Sequence, residues 1–105
     1  MPGSVIVAGA RTPMGKLSGA LAGLTAPQLG GIAAKAALER AGVAPELVDQ
    51  VLLGQVILAG TGQMPAKQAA VHAGIPMAAP ALSLNMACLS GLHTIMYADQ
   101  LIAVG

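Results

Sequence analysis

The sequence predicts an α/β chain built on a mostly parallel sheet. Three observations carry this. Short apolar runs alternate with stretches of helical spacing in the order β-α-β-α-β-α. Glycine and proline fall at the changeovers. The central apolar run is nearly continuous, as expected of a strand covered by helices on both faces.

The elements follow in order. Ser4-Val5-Ile6-Val7-Ala8-Gly9 is β-branched and ended by glycine, which predicts a buried first strand. Arg11 to Lys16 is a loop with turn chemistry from Pro13 and Gly15, and Arg11 is read as a structural anchor ahead of an anion contact. Thr25, with Pro27 in the first turn and Gln28 completing a capping box, starts the first helix, and Gly42 ends it. Leu29, Ile32, Ala33 and Ala36 give that helix an apolar stripe. Pro45-Glu46-Leu47 begins a short turn.

The second strand lies within Asp49–Leu58, centred on Val51–Ile57, with burial expected on both faces. Gly60-Thr61-Gly62 lacks the further glycine and the Lys-Ser/Thr pair of a phosphate loop and is read as a tight turn. Gln63–Ala73 forms the second helix, with Pro65 in its first turn and Gly74 past its end. His72 falls in its last turn, where a cation offsets the helix dipole. Ala81–Leu84 is the third strand, and a helix runs on to about Val104, apolar on nearly all sides. So short a chain has difficulty burying such a helix, so a partner or further sequence is expected to cover it.

Cys88, the one cysteine, sits where the turn after the third strand hands over to the last helix. Helix-start N–H groups favour an anion, and a thiolate is one, so the setting suits an activated nucleophile. Ser90 and Gly91 are read as keeping the approach open. The competing reading is an inert buried cysteine, which is the commoner fate of lone cysteines. The residues by themselves leave both open. His93, five positions on, faces away from Cys88 along a helix and is assigned to packing or a substrate pocket rather than to the role of base.

The totals bound the rest. In 105 residues, 55% are hydrophobic and 9% charged, against about 25% charged in an ordinary soluble domain. That deficit predicts apolar surface covered by association. A net charge of +1 and a single aromatic, Tyr97, argue against nucleic acid. One cysteine excludes an internal disulfide and a cysteine-rich zinc site. The uncharged span between Lys67 and Asp99 is broken by Gly74, Pro76, Pro80, Ser83 and Asn85, so it is not one membrane helix. With no signal-peptide pattern at the start, a cytoplasmic location is expected.

Four stretches then resemble one family: Ala10-Arg11-Thr12-Pro13-Met14-Gly15, Gly60 to Ala70, Ala73-Gly74-Ile75-Pro76, and Asn85-Met86-Ala87-Cys88-Leu89-Ser90-Gly91-Leu92. Each is weak by itself; together, in this order and spacing, they are similar to the N-terminal part of thiolases, the acetyl-CoA acetyltransferases and their 3-ketoacyl-CoA relatives. The resemblance implies a layered α/β/α/β/α fold, with residues 1–105 as part of the N-terminal domain. It makes Cys88 the acyl-accepting nucleophile, with acyl-CoA and CoA as partners, no separate cofactor, no metal, and homo-oligomers. It also implies a histidine in a Gly-His-Pro setting and a second cysteine, both from a C-terminal half that these residues do not contain, so the stretch by itself is expected to be inactive. Met64, Lys67, Met86-Ala87 and Leu89 depart from common family residues, which bears on substrate preference or packing. The alternatives are a truncated, non-catalytic thiolase-like interaction module and, among related enzymes, a ketoacyl synthase; a nucleotide-binding domain is disfavoured by the missing phosphate loop.

Overall fold

The computed structural model describes residues 3–105. Its elements run α1 (Ala26–Ala41), a 3-10 turn (Pro45–Leu47), β1 (Val51–Gly54), α2 (Pro65–His72), β2 (Ala81–Leu84) and α3 (Ser90–Val104). β1 and β2 pair in parallel, Val51 opposite Ala81 through Gly54 opposite Leu84. A parallel pair needs a long crossover, which α2 supplies.

α1 starts as its sequence predicts. Thr25 Oγ1 accepts from the Gln28 N–H at 3.2 Å, and Gln28 Oε1 accepts from the Thr25 N–H at 2.8 Å. Gly42, left-handed at φ 67°, closes the other end. Thr25→Ala removes one side of this box and is expected to cost about 1 kcal/mol, read as a lowered denaturant midpoint in the native protein.

The packed face of α1 is not the expected stripe. Pro27 and Gly31 are buried, Ala34 and Leu38 pack on the core, and Ile32 is 52% exposed. The reason is close approach to α2. A Cβ on Gly31 would stand 2.4 Å from His72 Cβ, and one on Gly30 would stand 3.3 Å from Ala69 Cβ. Glycine and alanine let the two helices touch nearly backbone to backbone, a contact that hydropathy does not register. The core is correspondingly small-sided: Val51, Ala70, Ala73, Ile75 and Ala79, with Ala66 and Ala69 buried beside it.

β1 is shorter than expected and covered less evenly. Val51 is buried, Leu52 and Leu53 are half-buried, and Gly54 is exposed. β2 coincides with the expected strand. It also starts α2, which has no side-chain cap of its own: Ser83 Oγ accepts the Ala66 N–H at 3.0 Å. Lys67 Nζ donates to the Met77 carbonyl at 2.8 Å and to the Ala79 carbonyl, which ties α2 to the segment leading into β2.

The expected first strand is not formed. Ser4–Gly9 pairs with no strand, and Val5 and Ile6 are 80% and 79% exposed. The observed order therefore begins with a helix. A β-branched run specifies extended backbone, but strand identity needs a neighbour to pair with. The segment is held from outside the sheet, by Arg40 Nη1 donating to the Gly9 carbonyl at 2.9 Å and by Ser4 Oγ donating to Asp99.

α3 packs on β1 through its polar residues, with Ser90 and Thr94 buried. Leu89, just ahead of the helix, and Leu92, Ile95, Met96 and Ile102 along it are each at least 52% exposed. Nothing among the described residues covers this apolar face. No helix among the described residues is long and apolar enough to cross a membrane.

Candidate active site

Cys88 stands on the turn between β2 and α3, two residues ahead of the first helical residue, Ser90. Among the described residues it is exposed, not buried as the competing reading expects. The turn beneath it is closely tied. Leu89 N–H donates to the Met86 carbonyl at 3.0 Å and Ser90 N–H to the Ala87 carbonyl at 3.1 Å. Ala87, between Met86 and Cys88, is left-handed at φ 49°, a conformation that L-residues other than asparagine and aspartate seldom adopt.

Two side chains complete the turn. Asn85 Oδ1 accepts the Ala87 N–H at 2.9 Å, while its Nδ2 donates to the Val56 carbonyl at 2.9 Å. Ser90 Oγ accepts the Met86 N–H at 2.9 Å and donates to the Ala87 carbonyl at 2.6 Å. Ser90 is 4% exposed. It is a structural part of the turn, a correction to its reading as a small residue that keeps the approach open; of Ser90 and Gly91, only Gly91 is exposed. Sequence reasoning missed these ties. The available signal was an asparagine and a serine flanking a turn, the residue types that bond back to nearby backbone.

The start of α3 is fixed against the end of β1. A Cβ on Gly54 would stand 2.7 Å from the Ser90 carbonyl carbon and Cβ, and 2.9 Å from the Gly91 nitrogen. Only glycine lets β1 come this near. The sheet thus sets the position of Ser90, and Ser90 sets the turn that carries Cys88.

The other residues singled out in the sequence do not join this site. His93 is half-buried on α3 and His72 is exposed at the end of α2. Neither imidazole, nor Cys88 Sγ, takes part in a hydrogen bond among the described residues. Arg11 is exposed and, among the described residues, its side chain donates only to the adjacent Thr12 carbonyl, so it does not take the expected place of an anchor there. Gly60 and Gly62, at φ 75° and 81°, form the expected tight turn, held by Gln68 Nε2 donating to the Thr61 and Gln63 carbonyls. Among the described residues no group of three or more His, Cys, Asp or Glu is placed to hold a metal. A cleft of about 690 Å³ opens at the far end of α3, lined by Asp49, Leu52, Leu101 and Ile102 among others; Cys88 is not part of its lining.

Comparison with known proteins places this arrangement. A family model described as the thiolase N-terminal domain matches residues 4–105. A probable acetyl-CoA acetyltransferase of Mycobacterium leprae is 58% identical over the whole chain, and an acetyl-CoA acetyltransferase of Cupriavidus necator is 54% identical over 96% of it. The crystal structure of the Acat5 thiolase from Ascaris suum in complex with coenzyme A superposes with a TM-score of 0.92 at 30% identity, over 95% of this chain and 26% of that one. The chain spans only 27% and 26% of the two bacterial relatives. By sequence over nearly its full length, and by fold, the chain belongs to the thiolase family, as a stretch of its N-terminal domain.

Proposed function

We propose that this chain contributes the acyl-accepting nucleophile, Cys88, to an acyl-CoA C-acyltransferase of the thiolase type. The reading rests on one observation: in a thiolase-family chain, the single cysteine stands exposed on a tied strand-to-helix turn. The chemistry balances as follows. The Cys88 sulfur, its proton passed to a base outside these residues, attacks the carbonyl carbon of an acyl-CoA thioester. The bond from that carbon to the CoA sulfur breaks, CoA leaves as the thiol, and an acyl thioester remains on Cys88. In the degradative direction Cys88 instead attacks the 3-carbonyl carbon of a 3-ketoacyl-CoA, and the C2–C3 bond breaks. The released carbanion takes up a proton and leaves as acetyl-CoA, and free CoA then takes the acyl group from Cys88. In the synthetic direction, the deprotonated α-carbon of a second acyl-CoA forms the new carbon–carbon bond and releases Cys88. A base positioned at such a site contributes about 10²–10⁴-fold, and neither histidine of this chain meets Cys88. These residues therefore supply the acceptor and its mounting, and the remainder of the protein supplies proton transfer. Acetyl-CoA is the natural first substrate to test, since relatives at 54–58% identity are named for it.

The same reading accounts for the exposed face of α3, which further chain or a second subunit covers in the whole protein. A non-catalytic module would need that face as well, so the face does not choose between the two; the exposed cysteine favours the enzyme.

The test is intact-mass spectrometry of the native protein after incubation with acetyl-CoA, followed by peptide mapping. One acetyl group on the Cys88 peptide is expected. No acetylation, or acetylation only at another residue, overturns the assignment.

A further inference from the structure

We propose that Ser90 and Asn85 are positioning residues for acyl transfer, acting by holding Ala87 in its left-handed conformation so that Cys88 keeps its reactive aim; this rests on the reading of Cys88 as acyl acceptor. The observation is a closed set of bonds around one residue. Both polar groups of Ala87 are held by side chains: its N–H by Asn85 Oδ1 at 2.9 Å, and its carbonyl by Ser90 Oγ–H at 2.6 Å. The preceding Met86 N–H is held by the same Ser90 oxygen at 2.9 Å. Each side chain is itself fixed. Asn85 is fastened to the Val56 carbonyl beyond β1, and Ser90 is 4% exposed at the start of α3, beside Gly54. A left-handed alanine persists only where its surroundings over-determine it.

The peptide that follows Ala87 carries the Cys88 N–H, and the Cys88 Cα–Cβ bond is set by that peptide's orientation. If Ala87 relaxes to an ordinary φ, the chain after it swings and the sulfur is re-aimed. An exposed thiol stays reactive towards a small reagent after such a shift. Acyl transfer from a large, oriented thioester does not tolerate it, since an error of about 1 Å can cost about 10²-fold.

The test compares two reactions of the same sulfur in the native protein. Single-turnover acetylation by acetyl-CoA and alkylation by iodoacetamide are measured for the parent protein, Ser90→Ala, Asn85→Ala, and Ser90→Ala combined with Ala87→Gly. Ser90→Ala and Asn85→Ala are expected to slow acetylation about 10- to 100-fold while alkylation stays within about threefold. Ala87→Gly is expected to restore part of the Ser90→Ala loss, because glycine holds a positive φ without support. Acetylation at the parent rate in both single variants overturns the proposal. So does an equal fall in both reactions, and so does loss of the folded circular-dichroism signal in both, since either makes the role merely structural. A parent protein that acetyl-CoA does not label at Cys88 overturns the underlying assignment instead.

Discussion

The native protein carrying Cys88→Ser is expected to lose turnover by about 10⁴-fold or more, the scale on which nucleophile deletions act. The substitution exchanges one atom, sulfur for oxygen, on an exposed side chain. No cavity opens, and no hydrogen bond of the turn involves Sγ among the described residues, so the denaturant midpoint should hold. What changes, on the proposed role of Cys88, is the nucleophile. A thiol is a few per cent ionised near neutrality and intrinsically very reactive, whereas a serine hydroxyl needs an adjacent base to act at all. No hydrogen-bonded base for a hydroxyl is found in this turn among the described residues. The check is kcat at saturating acyl-CoA beside the unfolding midpoint. A rate within tenfold of the parent at unchanged stability would remove Cys88 from the chemistry.

Gly54→Ala is expected to be the most damaging single-methyl change in the sheet. The added carbon would lie 2.7 Å from the Ser90 backbone and 2.9 Å from the Gly91 nitrogen. No flexible side-chain end is there to yield; the obstacle is the first turn of α3. Either the helix start moves off β1 or the strand bends away from β2, where Gln55 N–H is bonded to the Leu84 carbonyl at 3.0 Å. Overpacking of this kind costs about 1–3 kcal/mol, and the upper half of that range is expected against backbone. The displacement passes straight to Ser90, so acyl transfer should fall further than the fraction unfolded accounts for. Guanidinium unfolding and single-turnover acetylation of one preparation give both numbers. An unchanged midpoint would mean that β1 and α3 are not in the contact described.

What the sequence displayed, and what it hid, divides along a physical line. The Thr25–Gln28 box, the Gly42 and Gly74 stops and the Ala81–Leu84 strand were all legible, because each is decided within a few residues. The Ser4–Gly9 run does not form the strand its composition predicts, since β-branching sets backbone extension while pairing depends on a distant partner. The packed face of α1 departs from the predicted stripe for a related reason. Gly30 and Gly31 carry no side chain to mark an inward face, and the close contact they allow is with His72 and Ala69, far along the chain. Cys88 could be singled out as a candidate, but its exposure could not be inferred from neighbours that are themselves apolar. In the sequence Ser90 shows only its small size, whereas its hydroxyl and its burial are what place it in the turn.

The alanine-and-glycine contact between α1 and α2 also bears on how this region answers to temperature. The heat-capacity change of unfolding follows the apolar area newly hydrated, about +0.45 cal/K/mol for each Å². Ala69, set against Gly30 and Gly31, brings few carbon atoms into that area. Their cohesion comes from dispersion at short range, which requires a fit but little buried surface. This helix pair therefore contributes less curvature to the stability profile than a leucine-filled seam of equal length would. Its grip changes little on cooling, and what threatens it is added bulk.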